Sequence, residues 1–585
     1  MNTYAIDFEC YYDKQVSITT LGQYHYLHHP DCDIYLVGIF SKEADFSYVG
    51  EPAAVDWTRF HGQRLVAHNA RFDRACFTRL QELGVIPADV QPHWECTADM
   101  VSALSAGRSL KAACEQLLGK YVSKETRNNL LGKSWGYVKM KMEGKAQEVA
   151  EYCLMDAWYC YHLWANFHHL WSEKERRLSA HTRDMGDYGI NIDTALLEQG
   201  RHTLQEVKDK AVELIPWADG YKPVLSPKYL REECAKAGIP APVSLAEDSP
   251  ECSAWEEEYG STYPWVAAMR DYRKANTLLT KLDTLSSRIR PDGTFAYGLK
   301  YFGAHTGRWS GDAGFNVQNL PRGAMFGVDL RRMIIPRPKH VFVISDLGQI
   351  EQRVLSWLAG DNSMMEQLET GISVYEAHAR ATMGYKGTEA LKHADPDLYR
   401  LAKARVLGLG YGAGASVFPA LAKAMAGLTI TPQQAQKIVR DFRASNPLVT
   451  ALWTKLERAF SMHVGKDFTL PLPSGRSVYY RRVARTPKGL SAVVQGKRCG
   501  FFGGKLAENL TSATARDVLG DILLRLDAAG YRVVMHVHDE VVVEVPEERA
   551  EAAAADIERI MTTPPTWLEG LPLTAETFIS PHYTK

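Results

Sequence analysis

Four carboxylates and one phenol in the first third of the chain have the types and spacing for phosphate chemistry. Asp7 and Glu9 lie two apart in the apolar run Tyr4–Phe8, which reads as a strand, so their side chains leave the same face. Asp73 follows in Asn69-Ala-Arg-Phe-Asp. Tyr152 and Asp156 are four apart in a helical pattern, and so share a helix face. Phosphodiester hydrolysis can use carboxylates around two divalent ions about 4 Å apart, which activate a water and stabilise the leaving oxygen. Asp7, Glu9, Asp73 and Asp156 are candidate ligands, and Tyr152 a candidate to orient the water. Singly each motif has a plainer reading, a solvated strand edge or an ordinary helix face. Their order within one α/β segment is what points to a site.

A second constellation lies further on. Asp346 ends the run His340–Ser345 and leads into Leu-Gly-Gln349-Ile-Glu351-Gln-Arg353. Asp539 sits in Val-His538-Asp-Glu between two β-branched runs, Arg532–Val537 and Glu540–Val545, the signature of a tight hairpin. Adjacent strand ends could bring the two aspartates together as holders of two metal ions, the arrangement nucleotidyl transfer needs. Simple turn chemistry also explains an aspartate in a hairpin. Between them, Arg400, Lys403, Leu407 and Tyr411 recur at spacings of 3, 4 and 4, which makes one helical stripe. Two cations at one end can hold a triphosphate, with an apolar side chain and a ring at the other to cover base and sugar.

The elements that must carry these residues give a multi-domain α/β chain. Strand runs Tyr4–Phe8, Ile34–Phe40 and Arg64–Ala67 alternate with helical segments over about the first 170 residues. From Trp164 to Arg290 the pattern is helical, broken by expected loops over Pro216–Pro250. The second half reads as a sheet interrupted by a largely helical insertion, about 361–520. Hydrophobic content of 45 % supports packed cores. With 68 basic against 69 acidic residues, any nucleic-acid surface must be local. The 10 cysteines show no zinc spacing, and no apolar run of about 18 residues or signal segment is present. A reduced, soluble, cytoplasmic protein is the expectation, with no membrane partner.

The amino-terminal motifs, in this order, resemble the tyrosine-bearing subgroup of the DEDD exonucleases. The order Asp-x-x-Gln-Ile-Glu-x-Arg, Lys-x₃-Leu-x₃-Tyr-Gly and Val-His-Asp-Glu resembles motifs A, B and C of family A DNA polymerases. Thr306-Gly307-Arg308 and Asn316-Val-Gln318-Asn319-Leu-Pro321 resemble that family's primer–template segment. KYFGAHTGRWSG and LPSGR resemble its short bacteriophage or prophage members, with a bacterial host cytoplasm as the setting. The resemblance implies a ribonuclease H-like 3′–5′ exonuclease domain followed by a right-hand polymerase. Its parts would be 1–170 exonuclease, 171–295 linker and thumb, 296–360 palm, 361–514 fingers and 515–585 palm. The implied activity is primer-dependent DNA synthesis from dNTPs with proofreading, by two Mg²⁺ ions per site, for which Mn²⁺ may substitute.

Residue by residue, the resemblance implies that Asp346, Asp539 and Leu347 hold metal in one site, and Asp7, Glu9, Asp73 and Asp156 in the other. Glu351 would be the steric gate against a ribose 2′-hydroxyl, and Lys403 would grip the triphosphate. Arg400, Leu407, Tyr411, Gln349 and Tyr375 would line the nucleotide site, Tyr411 near the templating position. Arg308 would reach the minor groove at the primer end, where acceptors common to all pairs allow a check of pair shape. Gln318, Asn319, Lys505, His538 and Ser512 are further DNA-contact candidates, with Arg273 and Lys274 of the thumb on the phosphate backbone.

Three departures stand out. The family's helix begins Arg-x₃-Lys, whereas position 399 is Tyr and the arginine follows at 400, turned by about 100°. Position 407, an aromatic in the family, is Leu, which predicts slower incorporation or altered dideoxynucleotide tolerance. Ser512 replaces a minor-groove glutamine, leaving room for a purine with an added amino group such as 2-aminoadenine. The family plan has no room here for a 5′ nuclease, so primer removal would fall to another protein. The chain would act as a monomer, with helicase, clamp or single-strand binding partners open. Rival readings are an exonuclease on a binding platform, a non-enzymatic replication scaffold, and a reverse transcriptase or RNA polymerase. The complete carboxylate sets argue against the first two, and Glu351 against the last.

Overall fold

The computed structural model describes residues 1–585 apart from 124–128, 143, 219, 246–248, 313 and 585. The expected loop stretch Pro216–Pro250 therefore lies partly outside the described residues.

Apolar alternation at the amino terminus builds a five-stranded mixed sheet. Strands Thr3–Cys10, Ile34–Ser41 and Phe46–Gly50 pair antiparallel, and Arg64–Ala67 and His93–Cys96 extend the first edge in parallel. Tyr4, Ile6 and Phe8 pack with Cys76 and Phe77 of the helix Ala70–Glu82, while Ala5 packs with Cys160 and Tyr161 of the helix Lys145–Phe167. By the two-residue period, Asp7 and Glu9 share the face of Ala5, the face covered by that second helix. The mid-strand glycine Gly38 lets the helix come close, since a Cβ there would meet the Cys153 carbonyl oxygen at 2.7 Å.

Two long helices, Thr194–Leu214 and Pro264–Arg288, pack along each other. Beside them the proline-rich stretch is not all loop, a correction to the sequence reading. Pro227 starts a helix to Ala237, where its missing N–H is harmless, and Trp217, Trp255 and Trp265 close a small core.

The catalytic-motif runs form one antiparallel sheet in the order Arg532–Val537, Glu540–Pro546, His340–Leu347, Ala575–Ser580. The helix Gly503–Ala528 is buried on nearly every side, as expected of one without a polar face.

The insertion is largely helical as expected, except for one stretch. Phe468–Pro471, Ser477–Thr486, Gly489–Val494 and Lys497–Phe501 form a four-stranded antiparallel sheet. The longest of these strands has a bulge between Arg481 and Ala484, with Arg482 at φ +51°. It inserts a residue and breaks the alternation that would have marked a strand.

Candidate active sites

In the central sheet, Asp346 stands opposite Glu540 on one neighbour strand and Glu576 on the other. The Leu347 N–H donates to the Asp539 carbonyl at 3.2 Å, so the two motif aspartates sit at touching strand ends. The hairpin turn is His538-Asp539, with His538 at φ +56°, a conformation suited to a two-residue turn. Gln318 fixes it: its Oε1 accepts from the His538 N–H at 2.9 Å and its Nε2 donates to the His536 carbonyl at 2.7 Å. Expected at the DNA, Gln318 is buried here and serves the site through the turn. Asn319 beside it is exposed.

Glu540 was not singled out by the sequence, yet it is buried next to Asp346, with the Tyr583 hydroxyl donating to it at 2.8 Å. Carboxylates directly opposite on one sheet face repel, and a divalent cation relieves that repulsion. The donor set of Asp346, Asp539 and Glu540 fits hard oxygen-seeking ions such as Mg²⁺. Among the described residues no three His, Cys, Asp or Glu side chains close into a ready-made cage. Water, backbone and substrate oxygens would complete such a shell.

The turn after Asp346 carries the nucleotide-side residues. Gln349, at φ +54°, accepts from the Val374 N–H at 2.8 Å and so ties motif A to the helix Val374–Thr382. Arg353 donates to the Gly348 and Pro572 carbonyls at 2.8 and 2.9 Å and locks the turn. Glu351 pairs with Arg308, so the expected gate and primer-end residue hold each other.

On the helix Pro396–Leu409, Lys403 and Leu407 are half-buried. Tyr399, one turn before Lys403, packs edge-on to Tyr375 at 5.6 Å. Arg400 pairs instead with Asp397 and lines a groove with Ile430 and Ile438, away from the Tyr375 contact. Tyr411 falls just beyond the helix rather than on it. Burial, and then the charge of Glu351, raise its hydroxyl pKa well above the ordinary range. Ser512 is buried on the central helix, and Lys505 pairs with Glu508 at 2.6 Å. In the long helix Pro264–Arg288, Arg273 is half-buried and Lys274 reaches Glu256 at 3.9 Å.

The amino-terminal carboxylates also gather. The Phe8 N–H donates to Asp73 at 3.2 Å, and the Cys153 thiol donates to the Asp7 carbonyl at 3.4 Å. Burial pushes Asp73 up to about 8, with the charge of Glu9 adding to it. Burial also raises Tyr152 well above its ordinary range, and the charges of Asp156, Glu9 and Asp7 all add. All four carboxylates therefore sit close enough to act on one another or on the same phenol. A buried, mutually repelling oxygen set of this kind fits divalent cations.

Comparison with known proteins bears on both halves. The family model for DNA polymerase family A matches residues 253–585. The chain belongs to DNA polymerase family A. It is 27 % identical to the DNA polymerase of Bacillus phage SP02, covering 100 % of both chains. It is 28 % identical to the thermostable DNA polymerase I of Thermus aquaticus over 67 % of this chain, which spans 46 % of that protein. A solved structure, the POL domain of Pol1 from M. smegmatis in complex with DNA primer-template and dNTP, shares the fold. Its TM-score is 0.67 at 18 % identity, over 94 % of this chain and 93 % of that one. No helix among the described residues is long and apolar enough to cross a membrane.

This family A polymerase also holds a buried ionic network that ties the KYFGAHTGRWSG and LPSGR segments to distant residues. Arg516 donates to Glu175 at 2.6 Å, to Asp517 at 3.2 Å and to the Gly307 carbonyl at 2.9 Å. Arg476 donates to Asp517 at 2.9 Å and to the Thr306 carbonyl at 2.8 Å. Tyr301 donates to Glu175, and the Arg516 guanidinium lies 4.5 Å from the Trp309 ring centre. The network grips the backbone directly before Arg308.

Proposed function

We propose that this polymerase copies a DNA template by extending a primer with dNTPs, and that its amino-terminal unit removes misincorporated nucleotides by 3′–5′ hydrolysis. One observation carries the polymerase reading. Asp346 and Asp539 meet at adjacent strand ends, with Glu351, Arg308 and Tyr411 beside them. The phage relative's name and the neighbour's bound primer-template and dNTP support it. Residues 1–170 are assigned to proofreading, 171–295 to linker and thumb, 296–360 and 515–585 to the palm, and 361–514 to the fingers.

Asp346, Asp539 and the Leu347 carbonyl would hold the ions of the synthetic site, with Glu540 at its edge. Mg²⁺ bound there supplies activation of the primer 3′-hydroxyl and charge neutralisation on the triphosphate. Lys403 places a cation against the triphosphate. Glu351 fills the space a 2′-hydroxyl would need. Arg308, once released from Glu351, donates into the minor groove at the primer end. Gln318, Arg353 and the Arg516 network keep these groups in register.

The proofreading reading rests on the sheet order Phe46–Gly50, Ile34–Ser41, Thr3–Cys10, Arg64–Ala67, His93–Cys96, and on Asp7 and Glu9 facing the helix that carries Tyr152 and Asp156. Gly38→Ala should push that helix away, because the Cβ meets backbone rather than a flexible side chain. A displacement of about 1 Å lowers exonuclease turnover by about a hundredfold while extension stays near wild type. Degradation of a labelled single strand at the wild-type rate would contradict it.

Leu407→Phe restores an aromatic against sugar and base, and faster steady-state incorporation is expected. Equal rates would remove position 407 from the nucleotide site. The room beside Ser512 is tested by competition between 2-aminoadenine and adenine triphosphates, with preference for the former expected. The function itself is tested by offering one dNTP at a time with Mg²⁺ to primer–templates differing in the next template base. Incorporation of only the complementary nucleotide is expected. No incorporation, or incorporation regardless of template, would overturn the reading.

A further inference from the structure

The four-stranded sheet inside the insertion has a charge pattern that neither active site uses. Between Asp467 and Glu508 the chain carries eight Lys or Arg and no Asp or Glu, in a protein of net charge −1. One side of the sheet packs on Phe460, Leu506 and Leu510. Arg482, Arg485, Lys488, Lys497 and Arg498 are exposed, and none forms a salt bridge among the described residues. The flanking acids are already engaged, Asp467 by Arg481 at 3.2 Å and Glu508 by Lys505 at 2.6 Å. A single-sign surface this concentrated raises the local concentration of a polyanion.

A second, independent feature stands where the last strand ends. Phe502 is 50 % exposed, alone among the phenylalanines of the described residues. Its ring lies against two glycines: a Cβ on Gly504 would sit 3.0 Å from it, and one on Gly412 would sit 3.5 Å away. Gly412 directly follows Tyr411. The Gly504 Cβ position is also 2.0 Å from the Tyr411 carbonyl oxygen, so only glycine lets this helix start press on the Tyr411 turn. The result is a bare ring face next to the active-site end of the helix Pro396–Leu409, continuous with the basic sheet.

Basic residues along a surface and an open aromatic at one end are the two parts of a single-strand binding track. Phosphates follow the charges, and a base stacks on the ring. Within a duplex every interior base is stacked on both faces and offers none to such a ring. We propose that this sheet and Phe502 bind the unpaired template strand ahead of the active site, with a template base stacked on Phe502. The choice of the template over a melted primer end rests on the polymerase reading, through Tyr411 beside the templating position. Phe502 and the sheet thus assign a single-stranded DNA subsite outside both catalytic centres.

The test measures equilibrium binding by fluorescence anisotropy on two primer–templates, one blunt and one with a 5′ template overhang of about ten nucleotides. The proteins are wild type, Arg485→Ala/Lys488→Ala/Lys497→Ala and Phe502→Ala, whose changes lie on exposed positions. Removing three phosphate contacts should lower the slope of log affinity against log salt by about two for the overhang substrate. Its affinity should fall about tenfold, with the blunt duplex unchanged. Phe502→Ala should weaken the overhang substrate by about fivefold or more, and Phe502→Trp should restore it. Equal losses on both substrates, or none on either, would overturn the proposal. So would losses confined to a third substrate with an unpaired primer 3′ end. Extension is run on the same wild-type preparation. Failure there would remove the polymerase reading, whereas extension with overhang-independent binding would remove only the sheet's role.

Discussion

Arg516→Met is expected to lower the unfolding free energy by about 3–5 kcal/mol, because it strands the Glu175 carboxylate in the interior, while Asp517 keeps Arg476. Arg516, Glu175 and Asp517 are buried, and the Arg516 guanidinium reaches Glu175 at 2.6 Å and Asp517 at 3.2 Å. The variant should also slow extension, since the same guanidinium holds the Gly307 carbonyl before Arg308. Denaturant titration checks the first claim, and a loss below about 1 kcal/mol would contradict it. Arg516→Met with Glu175→Leu should recover part of the stability, because the penalty lies in the unpaired charge. The network has a pH signature too. Burial alone would raise Glu175, but Arg516 and Arg476 outweigh it and hold the carboxyl at about 2. A depressed carboxylate stabilises the fold above its unfolded pKa, near 4.3, and that contribution disappears as pH falls to about 2. In Arg516→Met burial should instead lift the Glu175 carboxyl above its unfolded value, so lowering the pH should relieve part of the penalty rather than add to it.

Glu351→Ala is expected to raise ribonucleotide incorporation relative to deoxynucleotide by about 10- to 100-fold, the range a relieved steric clash supplies. Glu351 lies in the first turn of the helix that follows Asp346, and its charge acts on Tyr411. It also pairs with Arg308, which the substitution should release. Single-nucleotide incorporation with matched dNTP and rNTP pairs reads the ratio. An unchanged ratio would show that Glu351 does not face the sugar.

The carboxylates were legible because they fall in short, local patterns: two apart on a strand, four apart on a helix, one at a strand end, one in a hairpin turn. The strands that carry them were legible too, His340–Leu347 and the hairpin most clearly, because buried strands are nearly continuous apolar runs. What the sequence hid was set by distant partners. Glu175 and Arg516 are 341 positions apart, and no local pattern pairs them. Gln318 looked like a DNA ligand, yet its amide finds a hairpin backbone 220 residues on. Arg400 looked like a second phosphate cation, yet the shift of one position turns it to Asp397. The bulge at Arg481–Ala484 broke the alternation of the longest strand in the inserted sheet. Gly38 carried no visible signal, because its role is the absence of a side chain beneath a helix that starts more than a hundred residues later.

The central claim is that two separate carboxylate sites run synthesis and removal. One assay tests it: a labelled primer–template incubated with Mg²⁺, with and without all four dNTPs, using wild type, Asp539→Ala and Asp7→Ala. Full-length product that vanishes only in Asp539→Ala, with degradation that vanishes only in Asp7→Ala, is the result expected from the geometry. Synthesis that survives Asp539→Ala, or degradation that survives Asp7→Ala, would contradict it.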